Sequence, residues 1–559
     1  MQNESKNVIL AVILSVGVLV GWSMFGPQSA QPVASSVQVQ SQSIEDNTFE
    51  EAIDTRLTAE KAISSSATVI IDTPTLRGSI ALTGAKLNDL VLKKYKTTTD
   101  ADSDNIRLLA PRGTAEPYFV ESGWIGVKGG VPTSKTVWAT NNDRLTINTP
   151  VTLSFTNSEG VVFKKVYTID ENYMVSLKHV VVNNSTSAIA LADYGLVART
   201  YVEKGGPPIY ILHEGPIGVL DDTLREIDYD DLKEDGKEVY TSKGGWVGIT
   251  DQFWLVSLVP EQDKNITATY RYINRGAGLY QADFKNEKRI IAPGATTSFR
   301  INIFAGAKEV DVIDAYEEKF GIPMFDRSID FGWFYFLTKP FFKVLHYFSG
   351  VFGNVGVAIL IFTVLIKAIL FPLANKSYRS MAKMKILAPR MEEMKKRFKD
   401  DRAGMQQAMM KMYKEEKVNP MSGCLPMLIQ IPIFFSLYKV LYVTLEMRHA
   451  PFFGWITDLS APDPLGILTG FGLFSWSVPA SIAFLNLGIW PLLMGLTMWL
   501  QQRLNPTPQD PIQAKVFGLM PIMFTFLLAT FPAGLVIYWT WNNLLSISQQ
   551  YYIQKKISG

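Results

Sequence analysis

The sequence predicts a multi-span α-helical membrane protein, with about six transmembrane helices of which five form one core, carrying a large exported antiparallel β-sandwich domain. Three observations predict it. Val351 to Leu373, VFGNVGVAILIFTVLIKAILFPL, is apolar over a membrane's length and holds one charge, Lys367. Residues 66–306 are short β-branched and aromatic runs broken by turns, with hardly a helical period between them. Finally, the 559-residue chain has a formal net charge of only +2, yet its positive charge is concentrated between Lys376 and Lys417.

Residues 1–26 read as a transmembrane anchor built on VILAVILSVGVLVGWSMF. A cleaved signal peptide is the alternative, disfavoured by Glu4 beside Lys6 and by a poor small-residue site after Phe25. Residues 27–65, rich in Ser, Gln, Ala and acidic side chains, read as a flexible tether. The β-sandwich with its closing helix, KEVDVIDAYEEKF, occupies 66–322. Within it Asp221, Asp222, Asp228, Asp230 and Asp231 cluster in a stretch interleaved with Arg225 and Lys233, which reads as a solvated acidic loop. Residues 330–349 combine aromatic and aliphatic residues with Lys339, Lys343 and His346 and predict an amphipathic interfacial helix, kinked at Pro340.

The second span is 350–373, and the basic segment 374–420 folds as a helical hairpin turning at Asp400-Asp401. Further spans are expected at 421–445, 484–503, 515–531 and 533–553, separated by an exported loop at 446–483 and a short loop at 504–514. Gly470, Gly472 and Pro479 interrupt the apolar run in the first of these loops, which argues against a helix there. The basic hairpin is expected to be cytoplasmic by the positive-inside rule. Six spans then put the β domain outside, and both the N-terminus and the tail 554–559 inside.

The chemistry the sequence excludes narrows its function. One cysteine, Cys424, rules out an intramolecular disulfide and multi-cysteine metal sites, and reads as a small buried hydrophobe. Four scattered histidines, with no HExxH, P-loop or strand-to-helix GxGxxG, disfavour an enzyme, a cofactor or a bound metal. Lys367 is the exception to an inert membrane half. A lysine at a span's centre costs about 2.5–3.5 kcal/mol on insertion scales and marks a cavity or a pathway. A secondary transporter or channel using Lys367 as its ion or substrate site is the competing reading. It is weakened because the later spans contain no Asp or Glu to relay a proton, and no internal repeat is visible.

The segments SMAKMKILAPRMEEMKKRF, MYKEEKVNPMSGCLPMLIQIPIFFSLYKVL, EMRHAPFFGWITDLSAPDP and MPIMFTFLLATFPAGLVIYWTWNNLLSISQQYYI resemble, in order, the YidC family of bacterial membrane protein insertases. The resemblance covers about 330–553, and the exported domain resembles the form found in bacteria with two membranes. It implies an insertase and assembly chaperone of the inner membrane that moves nascent membrane proteins through a hydrated, positively charged groove open to cytoplasm and lipid. Such a protein works as a monomer, alone or with the Sec translocon, near the ribosome, the signal-recognition machinery and membrane lipids, and without a small-molecule substrate. By motif position Lys367 is the groove cation. Thr363, Gln430, Ser436, Tyr538 and Trp539 are then the further groove residues. The hairpin side chains Lys383, Lys385, Arg390, Lys395, Lys396, Arg397, Met405 and Met409 are the expected contacts for nascent chain, ribosome or lipid. The family most often has arginine where this chain has Lys367. A lysine can replace it if the groove is wet enough to keep a compact ammonium charged.

Overall fold

The computed structural model describes residues 57–558, apart from 65, 127–129, 201–211, 275–277, 399–400, 417–424, 477 and 506–510. The expected anchor at 1–26, most of the tether, Cys424, Asp400 and the centre of the 504–514 loop lie outside the described residues. The last residues of the expected tether form a short helix, α1 (Ala59–Ser64), whose approach is held by Leu57 N–H donating to the Gly113 carbonyl at 2.8 Å.

The exported domain is built from an eleven-stranded and a nine-stranded sheet. Strands Tyr118–Gly126, Ile189–Arg199 and Leu279–Asn286 lie in the middle of the first sheet, and Val161–Ile169, Met174–Asn183 and Thr296–Ala307 in the second. The Val161–Ile169 strand alternates buried with partly or fully exposed positions along its length, the mark of a strand with one face in the core. Side chains from both sheets, Trp124, Phe163, Phe284 and Phe304 among them, belong to one apolar core. Among the described residues the pairings are antiparallel with one exception: Thr68–Asp72 runs parallel to Arg144–Leu145 over two residue pairs. The acidic stretch expected as a loop is more ordered than that. It forms strand Thr223–Glu226 and helix α2 (Tyr229–Asp235), which buries Tyr229 and Leu232 while its carboxylates stay exposed. Two apolar anchors three residues apart are enough to hold one helical face against the sheet.

Helix α3 (Val310–Phe320) closes the domain, and α4 (Tyr335–Phe352) follows with Pro340 inside it. Lys339 of α4 reaches Asp314 and Asp326 at 2.9 and 2.8 Å, tying this helix to the exported domain. The helical region then comprises α5 (Val355–Arg397), α6 (Arg402–Glu415), α7 (Leu425–Val443), α8 (Ile489–Leu504), α9 (Pro511–Leu528) and α10 (Ala533–Ser558). Where the sequence suggests a span followed by a separate charged helix, α5 runs 43 residues without a break through Pro372 and Pro389. Each proline removes one backbone donor, but the Ala-, Lys- and Met-rich turns beside them are strong helix formers. Between α7 and α8 the helical structure of the described residues is limited to three 3-10 segments of three to six residues, with Gly470 and Gly472 at φ +57° and +90°. A side chain at those positions would be strained, so the chain cannot continue as a helix there.

Among the described residues one helix segment, Val355–Met394, is long and apolar enough by itself to cross a bilayer, with a mean hydropathy of 2.6 over its most apolar part. Leu428–Val443 and Gln513–Leu528 are apolar but shorter. At 1.5 Å rise per residue each of these covers about 24 Å of a hydrocarbon layer of about 30 Å. The second of these nonetheless presents an apolar outer face. Val516, Leu519, Ile522, Met523 and Phe526 form one stripe on α9, all more than 40% exposed. A contiguous apolar surface of this kind has no place in water.

The exported domain is locked to the end of α7. Gln252 Nε2 donates to the Tyr442 carbonyl at 2.7 Å, and Arg448 donates to the Lys96 carbonyl at 2.7 Å while lying over Phe253 and Trp254. Glu446 accepts from the Val310 N–H at 3.2 Å, so a carboxylate meets the N-terminus of α3. Its second oxygen has no hydrogen-bond partner among the described residues, and burial pushes its carboxyl up to about 7.

Candidate functional site

The singled-out residues of the helical region converge where α5, α7 and α10 meet. Among the polar side chains of α10, Tyr538, Asn542, Ser546 and Gln550 are four residues apart, which a 3.6-residue period places on one face. All four are buried, at 2%, 8%, 2% and 0% exposure. Buried polar groups need partners, and α5 and α7 supply them. The Lys367 ammonium on α5 donates to Ser546 Oγ at 2.7 Å, and Ser546 donates in turn to the Asn542 carbonyl at 2.8 Å. Gln430 on α7 donates from Nε2 to Tyr538 OH at 2.7 Å and to Asn542 Oδ1 at 3.3 Å. A polar network thus crosses three helices, with one formal charge and no carboxylate in it among the described residues. On the far side of α10, Asn543 donates to Thr497 of α8 at 3.2 Å.

The other sequence candidates fall into two groups. Gln430, Trp539 and Lys367 are half-buried, with Trp539 packed edge-on against Phe434 at 4.6 Å between ring centres. Thr363, Ser436 and Tyr538 are enclosed. The Thr363 hydroxyl lies one turn before Lys367, as expected, but it donates to the Ile359 carbonyl of its own helix at 2.7 Å, so it is not offered to a passing chain. Ser436 is fully buried and its hydroxyl has no hydrogen-bond partner among the described residues. Asn542, Ser546 and Gln550 escaped the sequence reading. Their four-residue spacing from Tyr538 is the signal that would have found them.

The basic hairpin is formed by the end of α5 against α6. Leu387, Met391 and Met412 are buried there with Met384, Met394, Met409 and Tyr413 packed around them. Met409 is therefore part of the hairpin's own packing, Met405 is half-buried, and Met410, at 50% exposure, is the methionine that faces outward. Lys383, Lys385, Arg390, Lys396 and Arg397 are exposed, with Arg390 paired to Glu416 at 3.0 Å, whereas the side chain of Lys395 lies outside the described residues. Tyr378 and Met381 at the hairpin's base pack on Ile553, joining it to the end of α10.

One arrangement in the exported domain has the outline of a hydrolytic triad. Ser122 Oγ lies 3.1 Å from His179 Nε2, and His179 Nδ1 lies 3.2 Å from Asp193. All three side chains are buried, the His179 ring lies tilted against Trp124 at 4.3 Å between centres, and burial lowers the affinity of its ring for a proton. With the buried Lys165 amine donating to the Ser122 carbonyl at 2.7 Å, this is a buried polar network between two sheets.

The fold joins a helical region holding one membrane-length apolar helix to a large β-rich domain. Residues 347–559 match the family model described as 60Kd inner membrane protein, and 68–344 match that of the YidC periplasmic domain. The membrane protein insertase YidC of Sinorhizobium medicae is 48% identical over 581 aligned residues, covering 100% of this chain and 96% of that protein. That of Agrobacterium fabrum is 51% identical over 504, covering 89% and 84%. The chain belongs to the YidC membrane protein insertase family, an inner-membrane family with a periplasmic domain that is not a family of enzymes. A solved structure described as an active YidC insertase aligns at 19% identity and a TM-score of 0.36, covering 87% of this chain and 93% of that one.

Proposed function

We propose that this chain inserts nascent membrane proteins into the inner membrane by drawing their polar, exported ends toward Lys367 while their apolar segments travel along the lipid-facing helices. The observation that carries this reading is a cation inside a membrane-length helix whose only hydrogen-bond partner among the described residues is a neutral hydroxyl, Ser546, with no carboxylate in ion-pair distance. A proton-coupled transporter would pair this ammonium with an acid. An ammonium held by a serine retains its attraction for a passing anion. In this reading α5, α7, α8, α9 and α10 are five of six spans, both termini and the basic hairpin are cytoplasmic, and the monomer is the working unit. Exposed Lys383, Lys385, Lys396 and Arg397 supply the hairpin's attraction for ribosomal RNA or anionic lipid. Cooperation with the Sec translocon belongs to the same proposal.

The test is site-specific photocrosslinking from Gln430 and Trp539, the two half-buried neutral members of the site, to a ribosome-stalled single-span protein. Crosslinks that appear as the span emerges support the groove. Their absence from both positions, with crosslinks only from α9, would remove Lys367 and its network from the insertion path.

A further inference from the structure

Between the exported domain, the start of α4 and the outer half of α7 lies a cavity of about 840 Å³. Its charged wall contains two closed pairs: Lys439 with Asp330 at 2.7 Å, and His213 with Asp228 at 3.5 Å. Two further charges of opposite sign, Glu226 and Arg327, line the same cavity and make neither an ion pair nor a side-chain hydrogen bond among the described residues. The Arg327 guanidinium lies over the Tyr335 ring at 3.7 Å, which fixes its plane and leaves its N–H edge available. A simple anion would satisfy only Arg327, and a simple cation only Glu226. A ligand carrying both charges satisfies the two together.

The remainder of the lining is apolar and leads into the membrane region. Phe435 and Ile431 of α7 line the cavity and are 40% and 45% exposed, and Leu428, three residues further from the exported domain, is 55% exposed. Their spacing puts all three on one helical face. From Lys439 to Leu428 this track is about 16 Å long, close to half of a hydrocarbon layer of about 30 Å. Trp333, 89% exposed at the cavity's edge, is the residue type that settles at headgroup level.

We infer that this cavity binds one outer-leaflet phospholipid bearing a primary ammonium, as in phosphatidylethanolamine, with the ammonium on Glu226, the phosphate on Arg327 and an acyl chain along Phe435, Ile431 and Leu428. A carboxylate acceptor favours an ammonium that can donate hydrogen bonds over a quaternary one. The bound lipid would bridge the exported domain and α7 beside the Lys439–Asp330 pair.

The full-length protein, purified in detergent, is titrated with phosphatidylethanolamine, phosphatidylcholine or phosphatidylglycerol and examined by native mass spectrometry. Phosphatidylethanolamine should be retained preferentially, and Glu226→Gln and Arg327→Gln should each weaken its retention by roughly tenfold, the loss of one charge-assisted hydrogen bond. In proteoliposomes, a phosphatidylethanolamine with a photoreactive acyl chain should label peptides containing Trp333 or Phe435. Equal retention of all three lipids, retention unchanged in both variants, or labelling confined to α8 and α9 would each overturn the inference. So would a benzoylphenylalanine at position 333 that captures a stalled nascent chain in place of lipid, since the cavity would then belong to the incoming protein.

Discussion

Inverting the charge at Lys367 separates an electrostatic role from a packing role. The ammonium is half-buried and hydrogen-bonded to Ser546. A carboxylate about 4 Å from it gains about 1 kcal/mol if the site behaves as bulk water and about 4 kcal/mol at the effective dielectric of a protein surface. Lys367→Met should therefore lower occupancy by a substrate with an acidic exported end by about 5- to 1000-fold. Lys367→Glu replaces attraction by repulsion of similar size and roughly doubles the loss in free energy. Lys367→Arg should retain most of the activity. The assay is the initial rate of protease-protected insertion into proteoliposomes containing each purified variant, using two substrates that differ only by Asp-to-Asn changes in the exported tail. The acidic substrate should lose far more than the neutral one. Equal losses for both would mean that Lys367 serves packing through Ser546, and no loss in Lys367→Glu would refute the electrostatic account.

Gln430→Leu leaves Tyr538 OH and Asn542 Oδ1 without their shared donor, which should cost about 1–3 kcal/mol and appear as a lower melting temperature in detergent; an unchanged melt would mean that the network contributes nothing to helix association. The Glu446 carboxyl is raised to about 7 by burial next to the like charges of Glu309 and Asp311. Between its unfolded value near 4.5 and about 7 the folded state holds a proton that the unfolded chain has lost, so stability from this group is present at low pH and lost as pH rises through 7. Glu446→Gln should therefore raise the melting temperature at pH 8 but not at pH 4; equal effects at both would refute the assignment. A Cβ on Gly495 would fall 2.0 Å from Thr525 Oγ1, so Gly495→Val should push α8 from α9 and destabilise by about 1–3 kcal/mol in thermal unfolding. Removing the exported domain while keeping Gly332 to Gly350 should leave most insertion intact in proteoliposomes, and complete loss would assign that domain a direct part.

The alternating strands, the membrane-length run around Lys367 and the basic hairpin were legible in the sequence because each is a local pattern. Period two, continuous apolarity and clustered charge are set by neighbours along the chain. So was the anomaly of Lys367, since a charge among apolar residues stands out wherever the helix packs. The sequence did not reveal what Lys367 touches. Ser546 is 179 residues away, and its meeting with Lys367 depends on how α10 is rotated against α5. The burial of Thr363 and Ser436, the use of Met409 inside the hairpin and the unpaired charges of Glu226 and Arg327 have the same cause. Composition and periodicity determine which residues leave water, but their partners are chosen by the packing of surfaces distant in the chain, and only the tertiary structure brings those surfaces together.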